Sequence, residues 1–400
     1  MQMTATTVGD IITADEPGFA CSKTKLVDNG LIHLRPFNID LDGKISLTEL
    51  YQVPPDEALA GRAKLEAGDI LFNNTNSAEL VGKAALVSEP MEAGFSNHIN
   101  RIRVNQSKVD PRWFALWIRK KRETGFFTRN ATRWVSQAAF KSSELRRLPI
   151  NVPPLVEQRR VADLLSRAES IVRMRREAEQ KAKEIIPALF LDMFGDPATN
   201  PKGWIFRTIG EVADIQGGLQ VTTKRASLPL EVPYLRVANV HRTHLDLSEI
   251  KLIRATEAEL NRTRLLPGDL LVIEGHGNPA EIGRVGIWPG GIDPCVHQNH
   301  LIRVRCMPER FHPVYVWAYL NSADGRRFLL REGKTTSGLN TISVSNVKGV
   351  SVPQPPIELQ KRFADRIAEV TALQGSQQMA SIRANHAFQS LMAGVFGEGA

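Results

Sequence analysis

Cysteine is scarce in this chain. Its 400 residues hold three, Cys21, Cys295 and Cys306. No pair has Cys-x-x-Cys spacing, which argues against a zinc ribbon or a redox dithiol and fits a reducing compartment. Long apolar runs are missing too: Ile185 to Phe194, the most apolar helix-like stretch, is too short and interrupted to span a bilayer. The start, Met1-Gln2-Met3-Thr4-Ala5-Thr6-Thr7, lacks a basic-then-apolar signal pattern. The expectation is a cytoplasmic protein with no membrane association.

Enzyme signatures are also absent. Gly333-Lys334-Thr335-Thr336 hints at a phosphate loop, but the glycine required five positions earlier is Phe328. No Gly-rich strand-turn-helix pattern marks a methyl-donor or dinucleotide fold, and the proline pairs are not followed by an aromatic residue as in amino-methyltransferases. Asp40-Leu41-Asp42-Gly43-Lys44 comes nearest to a nuclease cluster, and a turn between strands explains it better. Cys295, His297, His300 and Cys306 could suggest a metal set, but their repeat counterparts are Ala93, Phe95, His98 and Val104. A metal needed by the fold should recur in both copies. Hence no metal, cofactor or catalytic residue is expected in this chain.

What is there is a duplication. Val152-Pro153-Pro154-Leu155-Val156-Glu157-Gln158-Arg159-Arg160 is answered by Gln354-Pro355-Pro356-Ile357-Glu358-Leu359-Gln360-Lys361-Arg362. Upstream, Val8-Gly9-Asp10-Ile11 matches Ile209-Gly210-Glu211-Val212, and Leu65 to Leu71 matches Leu265 to Leu271 through a shared Gly-Asp. Arg35, Asn97-His98 and Arg101-Ile102-Arg103-Val104 match Arg236, Asn299-His300 and Arg303-Val304-Arg305-Cys306. The order never breaks, and the long offset argues for duplicated domains rather than a solenoid. Each half reads as short strands after turns, then a helix: Asp110 to Arg122 with Trp113, Phe114 and Trp117, and Pro313 to Asn321 with Tyr315, Trp317 and Tyr319. The fold class is α+β, as two tandem domains each followed by a long helix. The net charge of +8 permits nucleic-acid binding without requiring it.

After Pro154, the residues Val161, Leu164, Ala168, Ile171, Arg175, Ala178, Ala182, Ile185 and Leu189 step by threes and fours. That predicts a coiled-coil seam with one polar interruption, kinked at Pro187. The second helix fits less well, through Phe363, Ile367, Val370, Ile382, Leu391 and Val395. The helices are expected to pair antiparallel. The plainer alternative is two amphipathic helices, each covering its own domain. Boundaries are expected at 1–152, 153–200, 201–354 and 355–400.

The proline-pair block, the charged helix, Leu189-Phe190-Leu191-Asp192-Met193-Phe194-Gly195-Asp196-Pro197 and Asn200-Pro201-Lys202-Gly203-Trp204 together resemble the DNA-specificity (S) subunit of type I restriction–modification systems. The resemblance covers essentially the whole chain and is looser at Glu358-Leu359-Gln360. It implies a non-catalytic subunit with two target-recognition domains and an antiparallel coiled coil acting as spacer and docking surface. It further implies recognition of a split, asymmetric double-stranded DNA site. Two methyltransferase subunits would hold the methyl donor and modify adenine, and an ATP-using restriction subunit would be an optional further partner. A subunit of a related system with a fused methyltransferase–nuclease partner remains an alternative, as do a stand-alone nuclease and a structural coiled-coil adaptor.

Base readout needs bidentate donors and acceptors where the two copies diverge. Asn73, Asn74, Thr75 and Asn76 form one such stretch, and Glu274, Gly275, His276, Gly277 and Asn278 are its counterpart; a plain surface turn is the alternative. A second region pairs Arg129, Arg133, Ser136 and Gln137 with Arg331, Lys334, Thr335, Ser337 and Asn340, for phosphate contacts or simply a solvated basic surface. Asn97-His98, Asn299-His300, Arg35 and Arg236 are shared by both copies and are therefore expected to be structural.

Overall fold

A computed structural model describes residues 3–22, 26–54, 64–278, 281–332, 334–336 and 339–397. The chain divides into two compact units. Residues 1–175 with 381–400 form one, and 176–380 form the other. Both divisions fall inside long helices, Leu155–Ala182 and Ile357–Phe396. Each unit therefore combines one sheet-containing domain with helical segments from both halves of the chain.

Unit 1 is built on an antiparallel sheet in the order Ile12–Pro17, Ile99–Val104, Ile70–Asn73, Ala84–Leu86. The inner strand Ile70–Asn73 is buried along its whole length. A second sheet runs Gln52–Val53, Leu31–Leu34, Met91–Phe95, Lys64–Leu65. A ribbon of Thr4–Thr7 and Pro149–Val152 ties the two ends of the domain together. Unit 2 repeats this plan with Ala213–Gly217, Leu301–Cys306, Leu270–Ile273 and Val285–Ile287, and its ends are tied by Phe206–Thr208 and Ser351–Pro353.

The shared Gly-Asp is a turn with two separate requirements. Gly68 and Gly268 adopt φ of 96° and 91°, a left-handed conformation that side chains disfavour. Asp69 and Asp269 are buried; each accepts the backbone N–H three residues earlier, at 2.9 and 2.7 Å, and an arginine Nε, from Arg103 at 2.6 Å and Arg305 at 2.7 Å. Arg101 and Arg303 are buried as well and pair with Glu16 and Asp214. The repeated arginines thus brace the sheet. At the repeated Arg35 and Arg236, the neighbouring Asn38 and Asn239 each accept the arginine's backbone N–H at 2.8 Å and donate to two carbonyls.

The aromatic helices begin where proline fits, in the first turn. Pro111–Glu123 is capped by Asp110 and Pro313–Asn321 by His312. Trp113, Phe114 and Trp117 are buried in unit 1, and Tyr315, Trp317 and Tyr319 in unit 2. Tyr315 and Tyr319 donate to the carbonyls of Pro353 (2.9 Å) and Ser351 (2.7 Å), anchoring the strand that leads into the last helix. Burial in these apolar surroundings raises both phenols' pKa, Tyr319 to about 12.

Helix pairing is antiparallel within each unit. In unit 1, Arg112 meets Asp163 while Trp113 lies 5.8 Å from Phe396; one helical stretch further on, Arg119 meets both Glu169 and the ring of Phe388. The last helix therefore runs backwards along Leu155–Ala182. In unit 2, Phe363 contacts Phe190 and Phe194, and Gln374 Nε2 donates to the Ala182 carbonyl at 2.8 Å. The repeat is visible even here. Ile186, Leu189, Phe190, Met193 and Phe194 fill unit 2, and their counterparts Phe388, Leu391, Met392, Val395 and Phe396 fill unit 1.

The seam's period is as the sequence predicts, but its phase is not. The buried stripe of the first helix is Val161, Ala162, Leu165 and Val172, with Ala168 half-buried and Ala182 buried. Leu164, Ile171, Ala178 and Ile185 lie outside it and are exposed. On the last helix Phe363 and Ile367 are buried, Val370, Leu391 and Val395 partly so, and Ile382 is exposed. Gln158 sets this phase. Its fully buried carboxamide faces the domain, so residues three, four and seven further on face it too. The expected continuous rod is also interrupted. Leu155–Ala182 stops, and Ile185–Phe194 begins with Pro187 in its first turn. There the missing N–H of proline costs no helical hydrogen bond, so the helix breaks upstream of Pro187 instead of kinking at it.

Gln158 Nε2 donates to the carbonyls of Lys108 (3.0 Å) and Pro153 (2.7 Å), and its Oε1 accepts from Asp110 N (2.9 Å). Gln360 does the same with Arg310, Pro355 and His312 at 3.1, 2.9 and 2.9 Å. A buried backbone group left unpaired costs about 1–3 kcal/mol. Gln158→Ala should therefore lower unfolding stability by about 2–4 kcal/mol in a urea titration, while Arg159→Ala, on the exposed face, should change it by less than about 0.5 kcal/mol.

Candidate nucleic-acid interface

Several of the residues that diverge between the copies lie on one small sheet in each unit. In unit 1 the chain leaves Ile70–Asn73 and continues as Thr75–Asn76. This pairs with Ala138–Ala139, which pairs with Thr132–Arg133. Asn76 stands opposite Ala138, and Ala138 opposite Arg133. The two candidate regions, well separated in sequence, thus share a sheet. In unit 2 Gly275–His276 pairs with Leu339–Thr341, which pairs with Lys334–Thr336. His276 stands opposite Asn340, and Asn340 opposite Thr335. Ser337 lies outside the described residues.

The backbone frame is common to both. Asn74 N donates to His98 O at 3.0 Å, and its carbonyl accepts from Phe140 N at 2.9 Å. Glu274 N donates to His300 O at 3.0 Å, and its carbonyl accepts from Ile342 N at 2.8 Å. The second residue of each shared Asn-His pair therefore supplies a backbone acceptor to the frame.

The side chains differ. Asn73 is buried and spends its amide on the carbonyls of Thr75 (2.9 Å) and His98 (2.8 Å). Asn76 donates to Asn73 Oδ1 at 2.7 Å and accepts from Ser77 N at 2.8 Å. Asn74 donates to Asn97 O (3.1 Å) and Asn100 Oδ1, and Thr75 Oγ1 donates to Asn74 Oδ1 (2.7 Å). Unit 1 thus carries a connected carboxamide network here, with Asn73 inside it and Asn74, Thr75 and Asn76 partly exposed. Unit 2 has buried Ile273 in place of Asn73, then half-buried Glu274, whose carboxylate lies 3.6 Å from His300 Nδ1. His276 Nδ1 accepts from Asn278 N at 3.0 Å. Burial raises the Glu274 carboxyl pKa, against the attraction of His300.

Two exposed cations flank the unit 1 sheet. Arg129 donates to Thr124 O at 2.8 Å and Arg133 to Thr128 O at 2.7 Å; among the described residues neither has a carboxylate partner. Gln137 is exposed, and its carbonyl accepts from Trp134 N at 2.7 Å. In unit 2 the Arg331 guanidinium lies over the Phe328 ring. Sequence reasoning overlooked Trp134 and Val135, which stand exposed at the hairpin tip between Arg133 and Gln137. The signal was two adjacent apolar residues in an otherwise polar turn.

Asp40 is a turn residue, as expected. Its Oδ1 accepts the N–H groups of Asp42 and Lys44 at 2.9 and 2.8 Å, and Asp42 pairs with Arg119. Among the described residues no helix is long and apolar enough to cross a membrane.

Comparison with known proteins gives a consistent picture. Residues 48–184 match a family model described as the type I restriction modification DNA specificity domain. The chain is 26% identical over 398 residues to the type I restriction enzyme EcoKI specificity subunit of Escherichia coli K12, covering 93% of this chain and 82% of that one. It is 25% identical over 393 residues to the StySPI specificity subunit of Salmonella potsdam, at the same coverage. Among solved structures, a chain from a type I R-M system aligns with a TM-score of 0.60 at 21% identity, covering 98% of this chain and 97% of that one. The S subunit from M. genitalium aligns with a TM-score of 0.59 at 12% identity, covering 98% and 95%. At these identities the structural likeness speaks for the fold.

Glu274 generates a pH prediction. Its pKa is higher folded than unfolded, so its charge costs stability above the folded pKa, and that cost disappears as pH falls below the ordinary glutamate value. Glu274→Gln should therefore melt above the parent chain at neutral pH, with the gap closing as the solution is acidified towards about pH 4. A melting difference that does not vary with pH would contradict this.

Proposed function

The chain belongs with the DNA-specificity subunits of type I restriction–modification systems, to which the family model, the curated relatives and the solved structures all point, and from that premise we propose that it reads a bipartite, asymmetric DNA site, one half-site per unit. As a specificity subunit it serves DNA sequence recognition, is not the catalytic member, and works with methylase and restriction subunits. Residues 1–152 and 201–354 are the target-recognition domains of this reading, and 153–200 and 355–400 its helical spacer and docking regions.

The observation that carries the reading is the contrast at the two small sheets. The same backbone hydrogen bonds hold Asn74 in one unit and Glu274 in the other, while the neighbouring side chains differ in type and charge. A common frame with unlike contents is what two readers of unlike half-sites need. Amide side chains suit adenine, and a carboxylate accepts from the cytosine amino group. Asn73 acts from inside, by holding Thr75 and Asn76 in place. Arg129, Arg133, Arg331 and Lys334 supply charge for phosphates.

Docking of two methyltransferase subunits is supported by apolar side chains that the chain leaves exposed on its long helices. Leu164 (41% exposed), Ile171, Met174 and Ile382 belong to unit 1, and Ile185, Leu373 and Met379 to unit 2. Most of the residues that fall off the buried stripe thus find a use as contacts for another chain.

The test is methylome sequencing of a host carrying the chain with its partner methyltransferase. Asn76→Ala should relax one half-site by about 1–3 kcal/mol of discrimination per lost bidentate contact, and His276→Ala should relax the other. Equal relaxation of both half-sites by either variant would overturn the division of labour.

A further inference from the structure

The hairpin between Thr132–Arg133 and Ala138–Ala139 is at odds with its own turn chemistry. Trp134 N donates to Gln137 O at 2.7 Å, which leaves Val135 and Ser136 as the tip. Two-residue hairpin tips favour Gly, Asn or Asp, which tolerate the required backbone. Here the tip begins with Val135, which is fully exposed, and follows Trp134, which is 59% exposed. The Trp134 indole has no hydrogen-bond or ring partner among the described residues, whereas Trp113 and Trp117 of the same unit are buried. The described residues leave most of this apolar surface uncovered, and local departures from a sequence rule of this kind tend to mark function.

Two features identify what would cover it. Exposed Arg133 directly precedes Trp134 and Arg129 lies one short turn earlier, so the apolar tip is flanked by cations without carboxylate partners among the described residues. The hairpin is also paired through Ala138 to Asn76, so the tip continues the sheet that carries the proposed reading residues. An apolar wedge with cations beside it matches duplex DNA, whose charged backbones flank a stack of apolar base faces. Proteins that insert such wedges partly unstack a base step. In unit 2 the equivalent segment, Lys334-Thr335-Thr336-Ser337-Gly338-Leu339-Asn340-Thr341, has no aromatic residue.

We propose that Trp134 is a positioning residue that stacks on a base at a partly opened step of the half-site read by unit 1, with Arg129 and Arg133 on the adjoining phosphates, and that unit 2 makes no corresponding insertion. The proposal rests on the DNA-specificity reading and adds a distortion confined to one half-site.

The test uses the chain assembled with its methyltransferase subunits and a duplex bearing the methylated sequence found in the host. 2-Aminopurine is placed in turn at each position of both half-sites, and affinity is measured beside it. Apart from the adenines that the methyltransferase subunits extrude in both half-sites, the wild-type complex should raise the probe's fluorescence at one further step, in one half-site only. Trp134→Ala should abolish that rise and weaken binding about 5- to 150-fold, the range for loss of one base–aromatic stack. Trp134→Phe should keep most of both. An unchanged thermal melt for Trp134→Ala excludes a folding defect. Unaltered affinity and fluorescence in Trp134→Ala, or a Trp134-dependent rise in both half-sites, would overturn the proposal while leaving the specificity reading intact. Loss of methyltransferase co-purification with DNA affinity per assembled complex unchanged would also overturn it, by making the tip a protein contact. A wild-type complex that does not discriminate between DNA sequences would overturn both.

Discussion

One buried glutamine joins each globular domain to its long helix, and much of the architecture depends on it. Gln158 and Gln360 sit in the first turn after the proline pairs, and each bonds the loop before the aromatic helix and the chain entering its own helix. Because all three groups are backbone, the contact constrains geometry and leaves the surrounding side chains free to differ. It fixes the azimuth of the helix, and with it which residues face the domain. The apolar positions on that face then require a second helix to cover them, and the antiparallel segment does so in each unit. The glutamine is therefore a register device, and the apolar burial around it supplies the stability.

Much of this was legible in the sequence because it was written twice. The Gly-Asp turn and the aromatic helices that open on proline stand in the structure where the repeat put them, since each solves a backbone problem that both copies share. Helix phase was less legible. Leu164 and Ile171 make as good a three–four series as Leu165 and Val172, and only the direction of the Gln158 side chain decides between them. The sequence did carry that information, in the glutamine common to both proline-pair blocks, although the residues before it differ.

The candidate interface was legible in place and less so in detail. Divergence within a common frame singled out both proposed reading stretches, but it could not show that the first shares a sheet with the second candidate region, because the pairing of Asn76 with Ala138 joins segments far apart in the chain. Nor could it separate Asn73, consumed by two carbonyls inside the unit, from its partly exposed neighbours. Arginine shows the same limit. Arg101, Arg103, Arg303 and Arg305 contribute to a basic sequence, yet they are committed to Glu16, Asp69, Asp214 and Asp269. The cations free to meet a polyanion are fewer than the 51 lysines and arginines suggest.

This division between braced and free residues bears on how the reader could change its target. A residue that holds the frame, such as Asp69 or Gln158, is bound by several backbone or charged partners, and altering it disturbs the whole unit. A partly exposed residue of the small sheet, such as Thr75 or Asn76, sits beyond the last strand that the core requires. That strand ends with buried Phe72 and Asn73 in one unit and with buried Val272 and Ile273 in the other. Substitutions past that point change the chemistry offered to a ligand at little cost to folding. Two copies could then drift apart in what they read while remaining alike in how they fold, and the side chains of the two units have the distribution that such drift would leave.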